Sequence, residues 1–270
     1  AQDFSGNITT STSQVTVLDT TAPNLVAQNK TVYLDASGTV SFDTTGMIVS
    51  TWDNCSVDSV WMDITSATCA NDSVNVTLTI TDVNGNLSTT TAKVYVVDTL
   101  SPIVNLSNDT VYLDASGMAS TSISNIDNGS TDNCGIASIS LSDSTFTCAT
   151  VGLNSVTVTV TDNSGNVSTG TATVLVIDSV NPIVSCKSAT VYLDATGNAT
   201  ITTSDIDNGS SDNCNSITLS ASQTAFTCAD LGMNSVTLTV TDAYGNVDSC
   251  TTTVTVVDIT APVANCQPAT

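Results

Sequence analysis

The chain has no histidine and no arginine, and Lys30, Lys93 and Lys187 are its only cationic side chains. That removes the usual general bases, nucleophile triads and oxyanion clamps, so no enzyme is expected. Against those three cations stand 25 acidic residues, for a net charge of −22. Nothing here neutralises phosphates, which excludes nucleic acid as a partner. The same repulsion argues against an anionic membrane surface. Charged residues are only 10% of the chain, against about 25% in ordinary domains, and aromatics are 4%. No apolar run approaches the roughly 20 residues that span a bilayer, so direct membrane insertion is not expected.

What fills the chain is Ser, Thr, Asn and Val in period-two order. In Asn154–Asp178 the residues Val156, Val158 and Val160 alternate with Thr157, Thr159 and Thr161. Side chains alternate faces along a strand, so the valines line one face and the threonines the other. The return strand turns Ala172, Val174 and Val176 inward, and Asp-Asn-Ser-Gly-Asn supplies the Asx oxygen and the glycine of a short hairpin loop. The pattern recurs at Asn75–Asp98 and Asn234–Asp258, and in truncated form up to Asp19.

Tyr33, Tyr112 and Tyr192 sit in near-identical stretches at steps of 79 and 80 residues. Such a period matches a small independent β-domain, and seven or so short strands per unit is the pattern of an immunoglobulin-like sandwich. The expected fold is all-β, with tandem immunoglobulin-like β-sandwich domains of about 80 residues arranged end to end. Residues 1–22 are read as the C-terminal hairpin of a preceding repeat. Residues 23–101, 102–181 and 182–261 are read as repeats 1, 2 and 3, and 262–270 as the start of the next. The chain therefore reads as a segment of a longer mature protein. Each junction runs Asp, three residues, Pro (Asp19 to Pro23, Asp98 to Pro102, Asp178 to Pro182, Asp258 to Pro262), a short linker stiffened by its proline.

Cysteine spacing points to disulfides in an oxidising compartment. Cys55 and Cys69, Cys134 and Cys148, and Cys214 and Cys228 are each 14 residues apart at equivalent places, which suggests one short bridge per repeat. Each would contribute about 3 kcal/mol on the chain-entropy estimate. Cys186 and Cys250 have core-facing parity and form a further pair worth about 4 kcal/mol. In repeat 2 the same places hold Leu106 and Gly170. Cys266 is one period beyond Cys186, and its partner is expected outside the chain.

Asp132-Asn-Cys134 and Asp212-Asn-Cys214, followed by VTVTVTDNSGN or VTLTVTDAYGNVDSC and then VxVxD and Pro, resemble the hyalin-repeat (HYR) family of immunoglobulin-like extracellular domains. The Thr/Ser/Asp-rich, arginine-free version that opens on TVYLDASG is similar to the tandem repeats of giant cell-surface gliding-motility adhesins of Bacteroidetes, the SprB type. The resemblance covers essentially the whole chain, although repeat 1 departs from it with TTGMIVSTWDNC. It implies an extracellular, cell-surface location and a structural stalk or filament segment that holds an adhesive tip away from the cell. The partners implied are neighbouring repeats of the same long chain. Two alternatives carry other functions: a module that binds surface polysaccharide, for which only Trp52 and Trp61 could stack on sugar, or a spacer attached to an extracellular enzyme.

One cofactor is considered, calcium. Asp205-Ile-Asp207-Asn-Gly209-Ser-Ser-Asp212 packs several hard oxygen donors into a short loop, and repeat 2 offers Asp127, Asn128 and Asp132. The bland reading of these residues is an Asx-rich turn on a solvated surface. The junction acids Asp98 and Asp178 form a weaker candidate, their alternative role being strand-end hydrogen bonding. Ser73, Thr110 and Ser179 follow aspartate in triplets that look like the O-glycan acceptor of Bacteroidetes.

Overall fold

The computed structural model describes residues 1–263; the expected role of Cys266 therefore lies outside the described residues. The chain is nearly all β, in tandem immunoglobulin-like sandwiches. It divides into two compact units. The first contains residues 1–103, 131–138 and 160–168, and the second contains the remainder.

Each repeat builds a four-stranded sheet on its long hairpin. In repeat 1 the order is Lys30–Tyr33, Leu87–Val97, Ser73–Asp82, Val57–Met62, with the first pair parallel and the others antiparallel. Repeat 3 has the same order: Ala189–Tyr192, Val247–Val257, Gly232–Asp242, Ile217–Ala221. Repeat 2 follows it with Asp109–Tyr112, Val167–Ile177, Gly152–Asp162 and Ile136–Leu141. A two-stranded ladder supplies part of the opposing layer in each, for instance Asn198–Thr200 against Ala225–Thr227.

The alternation seen in the sequence sets the core. Val156, Val158 and Val160 are fully buried, as are Val236, Leu238 and Val240 in repeat 3 and Val76, Leu78 and Ile80 in repeat 1. The return strands bury Ala172, Val174 and Val176. At the hairpin tips Gly85, Gly165 and Gly245 take φ of 90°, 90° and 93°, which costs a glycine little. Ahead of each, Asp82, Asp162 or Asp242 accepts backbone N–H bonds from the two following turn residues, such as Ser164 and Asn166 at 2.9 and 2.8 Å.

Three features depart from the sequence reading. Residues 1–22 show a tight turn with one bridge, Gln2 to Ile8, and no paired strand; Val15 and Val17 stay exposed because no strand in the described chain pairs with them. Ile183 and Cys186 make isolated bridges to Ser211 and Asp207, in place of one of the seven or so short strands expected per unit. One-turn helices occupy Ile123–Ile126 and Thr203–Ile206. A single turn is too short to leave a 3.6-residue period, but each plugs the core with a fully buried side chain, Ile126 or Ile206. Repeat 1 lacks the helix, buries Met47 completely, and pairs Ile48–Trp52 with Asn24–Ala27.

Cys186 and Cys250 are bonded, with Cα atoms 6.2 Å apart. In repeat 2 a Cβ on Gly170 would lie 2.9 Å from both Leu106 and Val104, so a leucine facing a glycine fills the space the bridge takes in repeat 3. Truncating Leu238 to alanine should lower the unfolding free energy by about 2–5 kcal/mol in urea denaturation. Met233→Ala, on an 81%-exposed side chain of the same strand, should change it by less than about 0.5 kcal/mol.

Candidate metal centres at the repeat junctions

Among the described residues, the junctions at Asp19, Asp98 and Asp178 are each assembled from three short segments: a linker aspartate, the Asp-Asn-Cys loop of the following repeat, and that repeat's hairpin tip. In the first unit, Asp98 closes the Leu87–Val97 strand and its Oδ1 accepts from Leu100 N at 3.1 Å, which folds the linker into an Asx turn. Asn133 Nδ2 then donates both to Asp98 Oδ1 at 3.2 Å and to the carbonyl of Asp35 at 3.1 Å. From the hairpin tip, Asn166 Nδ2 donates to the carbonyls of Asp98 and Leu100, at 3.3 and 3.0 Å. Ser164 Oγ donates to Asp98 Oδ2 at 3.1 Å.

The second unit repeats the plan. Val180 N and Asn213 Nδ2 donate to Asp178 Oδ1, Asn213 Nδ2 also reaches the Asp114 carbonyl, and Asn246 Nδ2 donates to the Asp178 carbonyl. Ahead of repeat 1, Asp19 is held in the same way by Thr21, Asn54, Asn84 and Asn86. Those bonds, the Thr21 N–H first and the Cys55 thiol next, hold the Asp19 carboxyl down to about 2 from its ordinary 3.8. Asp82 is also lowered: burial pushes it up, but donors from Asn86 and Asn84 outweigh that.

The result is carboxylate crowding. Asp19, Asp53 and Asp82 converge, as do Asp98, Asp132 and Asp162, and Asp178 with Asp212 beside Cys214; within each group the donor atoms lie within 4.8 Å of one another. Two unit charges at that separation repel by about 3 kcal/mol at an effective dielectric constant of about 20. Among the described residues the ion pair found is Lys30 with Asp43, outside these groups.

The loop acids expected to bind together are divided. Asp205 caps its helix, accepting from Thr202 N and Oγ1 at 2.7 and 2.8 Å. Asp207 and Asp127 each accept from the serine three residues on, Ser210 or Ser130. Asn128 spends its backbone N–H on the Asn105 carbonyl. Only Asp132 and Asp212 join the acidic groups, and they do so with the junction acids Asp98 and Asp178. Asp19, Asp53, Asp82 and Asp162 were not singled out by sequence reasoning. Their signal was present, since acids recur at the repeat step in the linker, before each Asn-Cys and at each hairpin tip.

The disulfide pairing also requires correction. Cys69 is bonded to Cys134 and Cys148 to Cys214, with Cα atoms 5.4 Å apart in each pair, so these bridges run from one repeat to the next. The expected short bridges 55–69, 134–148 and 214–228 do not form; among the described residues Cys55 and Cys228 are unpaired, and both are exposed. The reason is where each sulfur sits. A Cβ on Gly38 would lie 2.7 Å from Cys69 Sγ and 2.6 Å from the Asn133 carbonyl, and one on Gly117 would lie 2.8 Å from Cys148 Sγ. The glycine of each Asp-Ala-Ser-Gly turn thus leaves a notch in which the next repeat's loop meets the sulfur. Equal spacing within every repeat could not distinguish this from local pairing. Of the glycan candidates, Thr110 and Ser179 are exposed and Ser73 is half-buried.

No family model matches the chain, and no curated protein matches it. Among solved structures, the crystal structure of mouse cadherin-23 EC22-24 is similar at 12% identity and a TM-score of 0.36, covering 88% of this chain and 99% of that one. The PcdhgB3 EC1-4 structure matches at 12% identity and a TM-score of 0.35, covering 90% and 77% respectively. The protocadherin gammaB4 extracellular domain matches at 13% identity and 0.33, covering 90% of this chain and 50% of that one. Likeness at these values lends no function to this chain.

Because Asp19 is depressed when folded, its contribution to stability is present above its unfolded value of 3.8 and is lost as pH falls through about 2. Carbon-detected NMR titration should place the Asp19 carboxyl midpoint near 2. Asp19→Asn should remove that part of the acid-induced loss of stability.

Proposed function

We propose that this chain is a structural segment of a long extracellular stalk, of the HYR-like class found in cell-surface gliding-motility adhesins. In this reading 23–101, 102–181 and 182–261 are successive repeats of one filament, and the stalk holds an adhesive tip away from the cell. The observation that carries the proposal is the pairing of Cys69 with Cys134 and of Cys148 with Cys214, at sequence separations of 65 and 66. Bridges of this kind fit an oxidising, extracellular setting. Cys55 and Cys228 occupy the two halves of the same pattern, and a flanking repeat on either side would supply their partners. Calcium belongs to the proposal as the cofactor, because Asp and Asn offer hard oxygen donors and no His is present.

The mechanism is mechanical. Tension entering at Cys69 passes through sulfur to Cys134, so the residues between them lie off the loaded path. In the middle repeat the loaded stretch is Cys134 to Cys148, 14 residues apart. Unravelled, it yields about 50 Å at ~3.5 Å per residue, whereas a whole repeat yields about 280 Å. Polysaccharide binding is the second reading, and one observation favours it: Trp52 and Trp61 are 64% and 46% exposed.

Single-molecule pulling of the oxidised chain should show the middle repeat lengthening by no more than about 50 Å, rising to about 280 Å after reduction. Steps of about 280 Å without reductant would contradict the stalk mechanism.

A further inference from the structure

Unpartnered buried oxygens occur at each described junction, Asp53 Oδ1 ahead of repeat 1 and Asn133 Oδ1 between repeats 1 and 2, but the junction between repeats 2 and 3 is the one where two carboxylates are left so. Asp178 and Asp212 are 6% and 8% exposed, and each has one carboxylate oxygen with no hydrogen-bond partner, Oδ2 of Asp178 and Oδ1 of Asp212. Their other oxygens are engaged, Asp178 Oδ1 by Val180 N and Asn213 Nδ2, and Asp212 Oδ2 by Cys214 N. Buried polar atoms without partners are costly and rare in native proteins. Here two of them belong to carboxylates that share one group with donor atoms within 4.8 Å.

The sequence explains the vacancy on Asp178. Its counterpart Asp98 receives the Ser164 hydroxyl on Oδ2 at 3.1 Å. The equivalent hairpin position in repeat 3 is Tyr244, whose hydroxyl donates instead to the Cys148 carbonyl at 2.9 Å. The substitution therefore removes the donor and leaves the anionic oxygen bare. A third unpartnered oxygen, Asn213 Oδ1, is in the same loop, and the amide nitrogen of that residue is 3.3 Å from Asp178 Oδ1.

We propose that Asp178 Oδ2 and Asp212 Oδ1, with Asn213 Oδ1 as a neutral donor beside them, form a calcium site that joins the second repeat to the third. All three donors are hard oxygens, and Cys214 offers no thiolate because it is bonded to Cys148. Calcium binds oxygen at about 2.3–2.6 Å in irregular geometry, so ligands on opposite sides of one ion stand roughly 5 Å apart, wide enough for this group. Magnesium, at about 2.0–2.1 Å and near-octahedral, suits it less well. The site rests on calcium being the cofactor of the stalk, but not on the force path through the disulfides. Its test reads ion binding, so its failure is separate from a failure in pulling.

The experiment uses the whole oxidised chain and compares it with Asp178→Asn/Asp212→Asn. Equilibrium dialysis against millimolar CaCl2 should find one calcium fewer per chain in the double variant. By calorimetry in chelator the variant should melt above the wild type, because the repulsion is gone. In calcium, at matched ionic strength, the order should reverse. Tyr244→Ser keeps both carboxylates, returns a hydroxyl to Asp178, and should weaken calcium binding about tenfold. Equal calcium content in wild type and double variant would overturn the proposal. So would a double variant that melts below the wild type with and without calcium, or an unchanged affinity in Tyr244→Ser.

Discussion

The junctions depend on one interaction, the grip of an asparagine side chain on the linker aspartate that precedes its repeat. Asn133 holds Asp98 and Asn213 holds Asp178, and in each case the same amide nitrogen also reaches the carbonyl of the Asp-Ala-Ser/Thr-Gly turn one repeat back. Asn166 and Asn246 add a second hold from the hairpin tips. Each of these amides bonds a backbone carbonyl or an ionised carboxylate, and hydrogen bonds to charged groups are worth about 1.5–3 kcal/mol. A chain with almost no cations has few other ways to keep an anionic linker in place.

The disulfides follow from that docking. Once the Asp-Asn-Cys loop is seated, its cysteine lies beside the cysteine of the preceding repeat, over a glycine with φ of +71° or +75°. A side chain at Gly38 or Gly117 would occupy the space of the sulfur, and the positive φ would strain it as well. The glycine therefore serves two purposes, closing its own turn and admitting the neighbour's bridge. The hairpin that marks the repeat also forms the joint, since its return strand ends in the linker aspartate and its tip receives the aspartate of the repeat before.

Much of the fold was legible because its signals are local. Alternation placed Val156, Val158, Val160, Ala172, Val174 and Val176 in the core, and Asx-Gly chemistry placed the hairpin tips. The one-turn helices were not legible, because four residues carry no period; the Thr202 to Asp205 capping box marks the second of them, and the first has no such box. The junction chemistry was half visible. Asp98, Asp178, Asp132 and Asp212 were noticed, but as two separate candidates, because their meeting depends on docking across about 35 residues of sequence. Cysteine pairing failed for a related reason. A constant spacing of 14 residues looks local, yet periodicity makes every inter-repeat spacing equally constant.

These features make the junction the place where sequence, chemistry and function meet: acidic, amide-bound and covalently crossed. The crossing is the central claim, and peptide mapping tests it most directly. Digestion of the unreduced chain on the N-terminal side of aspartate separates Cys55, Cys69, Cys134, Cys148 and Cys214 from one another, with Asp58, Asp63, Asp143 and Asp205 among the cleavage sites; Cys214 and Cys228 stay on one peptide, and fragmentation between Asn215 and Thr227 tells which of them carries the link. Mass spectrometry should then find Cys69 linked to Cys134 and Cys148 linked to Cys214. Peptides linking Cys55 to Cys69, or Cys134 to Cys148, would contradict the account.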